Sequence, residues 1–454
     1  MRRKREAVLT FEFNNDHLPK TVRQYREKYK RISQVLDKNL GVLDLIHRDL
    51  KRLSQGGRQG RKADFTSETI LRALVVHAIE GLSLRETVVR IADSDFLQDF
   101  LRTRKKAVMD HSFLDKCFKA IRPQTWKKVN ELLGQQAVAE EQIDPSVIRT
   151  DTTAVETNIH WPTDASLLWD TYRVAARLLA QGREICDESC PHRFHVKKIK
   201  RLSLFITRYS ISKSKKRLRK VKSAFRTLIE RTGRIVEIAR CFCEFSEQSG
   251  DIHLVGVAGE LKEFLPAMTD VVHNARRAQL QGETVPACER VFSIFEPHTE
   301  LIKRGRRGKP IEFGHMVLLC QAPEKFITDY DVMEERVADC KLTESVIDRH
   351  EKLFGQAPEV LAGDKGFCPD ADMYEELEER VNTLAIPKRM RDFADAAMSY
   401  WQAFRAGIEG TISGLKRAFR LSRCFYRGFK SFASAVGLGV FSHNLIVLAE
   451  SGGT

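Results

Sequence analysis

Three acidic residues in this chain occupy positions from which their carboxylates can converge. Asp151 sits near the middle of Val147-Ile148-Arg149-Thr150-Asp151-Thr152-Thr153-Ala154-Val155-Glu156, a β-branched run that reads as a strand. Asp364 follows the apolar run Val360-Leu361-Ala362 and precedes Lys365-Gly366-Phe367. An acid just past a buried strand end faces the crevice where α/β sheets bind ligands. Glu409 falls within a late helical pattern, Ala403–Phe419. Two strands and one helix can bring three carboxylates to one point. Such a donor set suits Mg²⁺ or Mn²⁺, with other coordination positions left for water and phosphate. Two such ions about 3.5–4 Å apart stabilise the attacking and leaving oxygens of an in-line phosphoryl displacement. Taken singly, each acid has an ordinary alternative: an Asp after a strand caps the next helix, and a Glu on a helix is solvated.

The surroundings of Glu409 add to the argument. Arg405 and Lys416 lie four residues before it and seven after, on one helical face. With the acid holding an ion, Arg and Lys can hold phosphate oxygens. The alternative is an exposed, salt-bridged helix. Gly407, Gly410 and Gly414 weigh against it, because glycines cost helix stability and suggest the close approach of another backbone, DNA being one candidate.

The charge is unevenly placed. Of a formal +15 over 454 residues, the segment Lys197–Arg234 carries fifteen Lys or Arg against one acid, Glu230. Its densest part holds Lys215, Lys216, Arg217, Arg219 and Lys220, while Leu218, Val221, Phe225 and Leu228 recur at helical spacing. Charge concentrated in this way suits a polyanion, since each phosphate contact releases counterions. A second basic stretch, with Lys303, Arg304, Arg306 and Arg307, reads as a loop in contact with phosphate or a solvated hairpin tip. Cys186, Cys190, His192 and His195 could supply four zinc ligands. Their spacing is tight for one ion, and reduced thiols with DNA-facing histidines are the preferred reading.

Around these residues the expected organisation is modular. Residues 1–60 read as a charged arm with some helix over Val22–Leu53, then a linker. Residues 61–145 read as a helical module, with the apolar face of Ile70, Leu71, Leu74, Val75 and Ala78, a break at Gly81 and a cap at Ser83. Helix, short Gly-containing turn, helix is the helix-turn-helix layout. Residues 146–165 and 288–430 read as an α/β core of mixed sheet and flanking helices, with strands at Val291–Phe295, Thr299–Ile302, Phe313–Leu319, Lys325–Val332, Glu359–Ala362 and Thr383–Ile386. The helical block 166–287 interrupts it. The tail 431–454 reads as an apolar helix too broken by Gly and His to span a membrane. Ten scattered cysteines suit a reducing, cytoplasmic setting, in which the protein would associate with the nucleoid when bound to DNA.

Arg405, Glu409 and Lys416 match the last part of the Tyr-x2-Arg-x3-Glu-x6-Lys signature of bacterial DDE transposases. The segment 150–164 resembles the first-Asp motif of the ISNCY-type insertion-sequence transposases. Phe295-Glu296-Pro297-His298-Thr299, Phe313-Gly314-His315 and Gly363-Asp364-Lys365-Gly366-Phe367 are similar to later blocks of that group, and Asp110-His111-Ser112 to its N-terminal module. The resemblance runs from about residue 65 to the C-terminal tail. It implies an RNase H-like core, two metal ions held by Asp151, Asp364 and Glu409, and transposon-end DNA on Arg405 and Lys416. Gln402 stands where the signature has Tyr, which puts in doubt any step needing an aromatic there, such as a hairpin intermediate. The expected activity is metal-dependent cleavage at insertion-sequence ends and strand transfer into target DNA, by a homodimer assembled on DNA. The alternatives are a DNA-binding protein without catalysis and a structure-specific nuclease with the same core.

Overall fold

A computed structural model describes residues 2–6, 15–53, 65–103, 108–303, 310–388 and 396–451. Seven described helices precede the first strand: α1 (Lys20–Lys38), α2 (Leu40–Arg52), α3 (Ser67–Glu80), α4 (Leu84–Ala92), α5 (Asp95–Phe100), α6 (His111–Ala120) and α7 (Pro123–Ala139). Local chemistry sets their ends. Thr66 accepts from the Thr69 N–H at the start of α3, and Ser83 and Glu86 form a reciprocal capping box at the start of α4. Gly81 ends α3 in the left-handed region at φ 57°, and a Cβ there would meet the Ala418 carbonyl oxygen at 2.9 Å, so both conformation and space require glycine.

The strands are β1 (Val147–Thr157), β2 (Glu300–Lys303), β3 (Ile311–Gln321), β4 (Ile327–Val332), β5 (Val360–Ala362), β6 (Thr383–Ala385) and β7 (Arg423–Cys424). They form a mixed sheet ordered β2–β3–β1–β5–β6, with β4 also on β3 and β7 on β1. β1, β5 and β6 run parallel, while β2 and β4 are antiparallel to β3. β5 is apolar and buried throughout, as expected of a short strand between parallel neighbours. The remaining helices are α8 (Asp164–Ile185), α9 (Val196–Tyr209), α10 (Lys215–Ser249), α11 (Ile252–Arg276), α12 (Thr343–Phe354), α13 (Ala371–Arg380), α14 (Ala396–Arg417) and α15 (Phe429–Ser451).

The chain divides into two compact units, residues 1–156 with 315–454, and residues 157–314. In the first, α1 and α2 are not the arm expected from their charge. Tyr29, Ile32, Ile46 and Leu50 are fully buried in one core with Trp126, Phe326, Phe441 and Leu445, so the N-terminal helices, α7, β4 and α15 solidify together. α15 is long and apolar enough to cross a membrane, but most of it is buried inside this unit. Its Asn444 bonds both the N–H and the carbonyl of Ile327 at 2.9 Å, which satisfies a buried amide and the backbone of β4 together.

In the second unit α8 to α11 share an apolar core that includes Leu168, Leu179, Leu228, Ile229, Ala239 and Leu261. Val221, Phe225 and Leu228 face it as the spacing requires. Residues 288–314 belong to this unit. The strand expected over Val291–Phe295 is absent. The Ser293 hydroxyl accepts from the N–H groups of Phe295 and Glu296, a local turn that competes with extended pairing while Phe292 and Ile294 stay buried.

Candidate active site

Backbone register sets two of the acids side by side. β1 and β5 are parallel neighbours, with Arg149 opposite Ala362. Asp151 lies two residues further on within β1, on the same face as Arg149, while Asp364 lies two residues past the end of β5, at the start of the turn Lys365–Phe367. On β1 that face carries Arg149 and Asp151, and α14 packs over it: Arg149 Nη1 donates to the Phe404 carbonyl at 2.8 Å, and Arg405 Nη1 lies 3.4 Å from Asp151 Oδ2. Arg405 Nη2 then reaches Glu409 Oε1 at 3.0 Å, one helical turn along α14. Asp151 and Arg405 are 17% and 15% exposed and Glu409 65%, so the cluster runs from a shielded floor to an open rim.

The floor is electrostatically tense. Burial, with the negative charge of Asp364 and a smaller contribution from Glu409, pushes Asp151 up to about 6. Arg405 and the Thr152 N–H, which donates to Asp151 Oδ1 at 2.7 Å, oppose the shift. The Asp364 side chain accepts from the Gly366 N–H at 2.8 Å, capping the single turn Lys365–Phe367. A further carboxylate, Asp339, stands beside them without any motif that marks it. Its Oδ1 accepts from the Thr152 hydroxyl at 3.1 Å. A methyl group on Gly366 would meet Asp364 Oδ1 at 3.0 Å and Asp339 Oδ2 at 3.6 Å, so these two acids border one point. Nothing around Val337-Ala338-Asp339 signals this, because the placement comes from a turn before α12.

Gln402 has a definite role. Its Nε2 donates to the carbonyls of Gly363 and Ala385, at 2.9 and 3.0 Å, which fastens α14 to the ends of β5 and β6 next to Asp364. Gly407 has an internal reason. A Cβ there would lie 2.1 Å from Arg149 Nη1, and that guanidinium is held by Gln321 at 2.8 Å and by the Phe404 carbonyl. The close neighbour at Gly407 is therefore a protein side chain, whereas Gly410 and Gly414 have nothing within 4 Å of such a carbon.

No protein-family model, curated protein or solved structure matches the chain.

The residues fit a hard cation in kind: the donors are carboxylates, and the charge of Asp364 acts on Asp151 against the opposing charge of Arg405. Among the described residues no three His, Cys, Asp or Glu are drawn together closely enough to chelate an ion as they stand, and Arg405 lies between Asp151 and Glu409. The same holds for Cys186, Cys190, His192 and His195: Cys190 is buried in the helical core, while His192 and His195 are exposed. Lys416 is half-buried two turns beyond Glu409, roughly 10 Å along the axis. Lys215, Lys216, Arg217, Arg219 and Lys220 are all exposed on the first turns of α10, and Lys303 is exposed at the end of β2. Arg304, Arg306 and Arg307 lie outside the described residues.

Proposed function

We propose that this protein is a DNA transposase in which Asp151, Asp364 and Glu409 work on a phosphodiester at the ends of an insertion element. The observation that carries the reading is that the parallel pairing of β1 and β5 brings two acids far apart in sequence close enough for the charge of Asp364 to act on Asp151, beside the helix that carries the third. The sheet supports an RNase H-like core, with parallel strands β1, β5 and β6 on one side and antiparallel pairing at β3 and β4 on the other. The capped helix pair α3–α4 supports the helix-turn-helix reading.

Asp151, Asp364 and Glu409 would hold Mg²⁺ or Mn²⁺, which supplies Lewis-acid stabilisation of the attacking and leaving oxygens when bound. The rest falls to the chain's own groups. Arg405, whose two Nη atoms reach Asp151 and Glu409, would hold a phosphate oxygen beside the acids. Gln402 holds α14 at the strand ends, and the Thr152 and Gly366 N–H groups fix the orientation of the Asp151 and Asp364 carboxylates. The α10 cations favour the same ligand. Lys215, Lys216 and Arg217 occupy the first turn of a helix, where the macrodipole disfavours positive charge by about 0.3–1 kcal/mol each, and an external polyanion offsets that cost. Holding two ends together calls for a dimer on DNA.

A second reading, DNA binding without catalysis, draws on the Arg405 bridge, which partly neutralises the acids without any ion. One experiment separates the two. A labelled duplex carrying the element's terminal repeat is incubated with Mg²⁺ or Mn²⁺ and either the wild type or Asp364→Ala. Nicking at the repeat boundary that vanishes in the variant supports the transposase. Tight binding with no nicking in either metal supports the binding protein, and nicking without strand joining supports a nuclease.

A further inference from the structure

The helical unit 157–314 contains a cavity of about 450 Å³ between α8, α9 and α10. It is of a size that takes a small organic ligand. Its floor is apolar and partly aromatic, made by Tyr172, Phe194, Phe205, Ile235 and Ile238. Its rim is cationic: Lys198 and Arg201 come from one turn of α9, Arg231 and Arg234 from one turn of α10, and Arg193 from the segment between α8 and α9. These five cations are exposed, no acid lines the cavity, and none of the five has an acidic partner among the described residues.

This arrangement is not what a solvated helix face produces. On α10 the cavity side carries Thr227, Arg231, Arg234, Ile235 and Ile238, so the edge of the apolar core, with Ile235 buried and Ile238 part-exposed, lies beneath guanidinium groups. Where acids are near in this unit, cations pair with them, as Arg277 does with Glu283 and Glu289. Like charges gathered over an apolar recess repel one another unless an anion joins them. A ligand that matches both parts has a flat apolar body and a phosphate. A duplex is too wide to enter, whereas one unpaired nucleotide can lay its base against Phe194, Phe205 and Tyr172 with its phosphate among Arg201, Arg231 and Arg234.

We infer that this cavity is a binding site for a single unpaired nucleotide, presented by a DNA strand. The inference rests on the reading of the protein as DNA-binding and is independent of the carboxylate chemistry. It also gives His192 and His195, at the mouth of the cavity, a place beside the ligand rather than around zinc.

The test uses the full-length protein in EDTA, where no cleavage intervenes, and fluorescence anisotropy with a fluorescein-labelled 12-nucleotide single strand and the matching duplex. Two double variants are compared: Arg231→Ala with Arg234→Ala at the cavity, and Arg217→Ala with Arg219→Ala on the same helix outside it. All four positions are exposed, and circular dichroism checks the fold. The expected result is a loss of about tenfold or more in single-strand affinity for the cavity variant, with a smaller loss for the control and a smaller effect of the cavity variant on duplex binding. Phe205→Leu, which keeps the packing, is expected to weaken the single strand without changing its salt dependence. Competition by millimolar AMP would extend the site to free nucleotides, and its absence would restrict it to strands. Equal losses for the two double variants on both DNAs overturn the inference, leaving a general basic surface. Wild-type protein that never nicks DNA yet shows the cavity-specific loss refutes the transposase reading and leaves this one standing.

Discussion

Within the unit formed by residues 1–156 and 315–454, ionised side chains are answered from inside the chain. Arg72 and Arg102 both bond Glu68 and Asp37, Asp329 is held by Lys127 and Arg349, and Arg405 links Asp151 to Glu409. Around the cavity of residues 157–314 and on the first turns of α10, cations stand without acidic partners among the described residues. Buried charge must be compensated where it sits, because desolvation otherwise costs several kcal/mol per ion. Exposed charge can wait for a ligand. On the proposed function, the contrast would put the chemistry that needs a shaped, shielded site in one unit and the affinity for a polyanion in the other.

The contrast would break most visibly at the acids. Asp151→Asn is expected to lower metal-dependent nicking on the order of a thousandfold while duplex affinity, measured by filter binding, stays nearly intact. Lys215→Ala with Lys216→Ala should do the reverse, leaving the rate at saturating DNA unchanged and reducing the slope of log K against log salt by roughly 2. A nicking defect in the lysine variant as deep as that of Asp151→Asn would erase the division of labour.

The internal fit of the first unit is tested at Gly407. Gly407→Ala forces a carbon against a guanidinium held at two points, and is expected to destabilise by about 1–3 kcal/mol in urea unfolding. Arg149→Ala in the same chain should recover part of that loss, a coupling that a double-mutant cycle reads directly.

The pH response is next. Burial, the larger cause for both, lowers His77 and His350 to about 4 in the folded state; Arg420 lowers His77 further, and Asp329 opposes the shift at His350. Unfolded, both take up a proton near 6.5. Between those values the unfolded chain binds more protons, so stability is full above about pH 6.5 and falls as pH drops toward 4. Each histidine accounts for about 3 kcal/mol across that window. His350→Gln should flatten the fall of Tm in calorimetry, and an unchanged slope would show that His350 is not held neutral.

The smallest effect is the most discriminating. Gly410→Ala and Gly414→Ala project into open space, so each should stabilise the protein by about 0.5–1 kcal/mol. If DNA lies against that face of α14, the same variants cleave more slowly while melting higher. A gain in stability with no change in cleavage would remove the functional reason for these two glycines.

Much of this protein was legible in the residues alone. The strand that carries Asp151, the strand before Asp364, the helix of Glu409, the basic helix and the cap at Ser83 follow from periodicity and side-chain chemistry acting over a few neighbours. The limits of such reading are equally specific. Charged α1 and α2 concealed Tyr29 and Ile46, whose burial depends on partners from α7 and α15, far along the chain. Val291–Phe295 has the composition of a strand, but the Ser293 turn and the pull of the apolar core outweigh β-propensity. Sequence spacing alone determined which residues could be acids, caps and cations. Only tertiary structure decided that Arg149 requires Gly407, that Gln402 fastens α14 to β5 and β6, and that Asp339 stands beside Asp364, because each depends on groups brought within a few ångströms by the packing of distant segments.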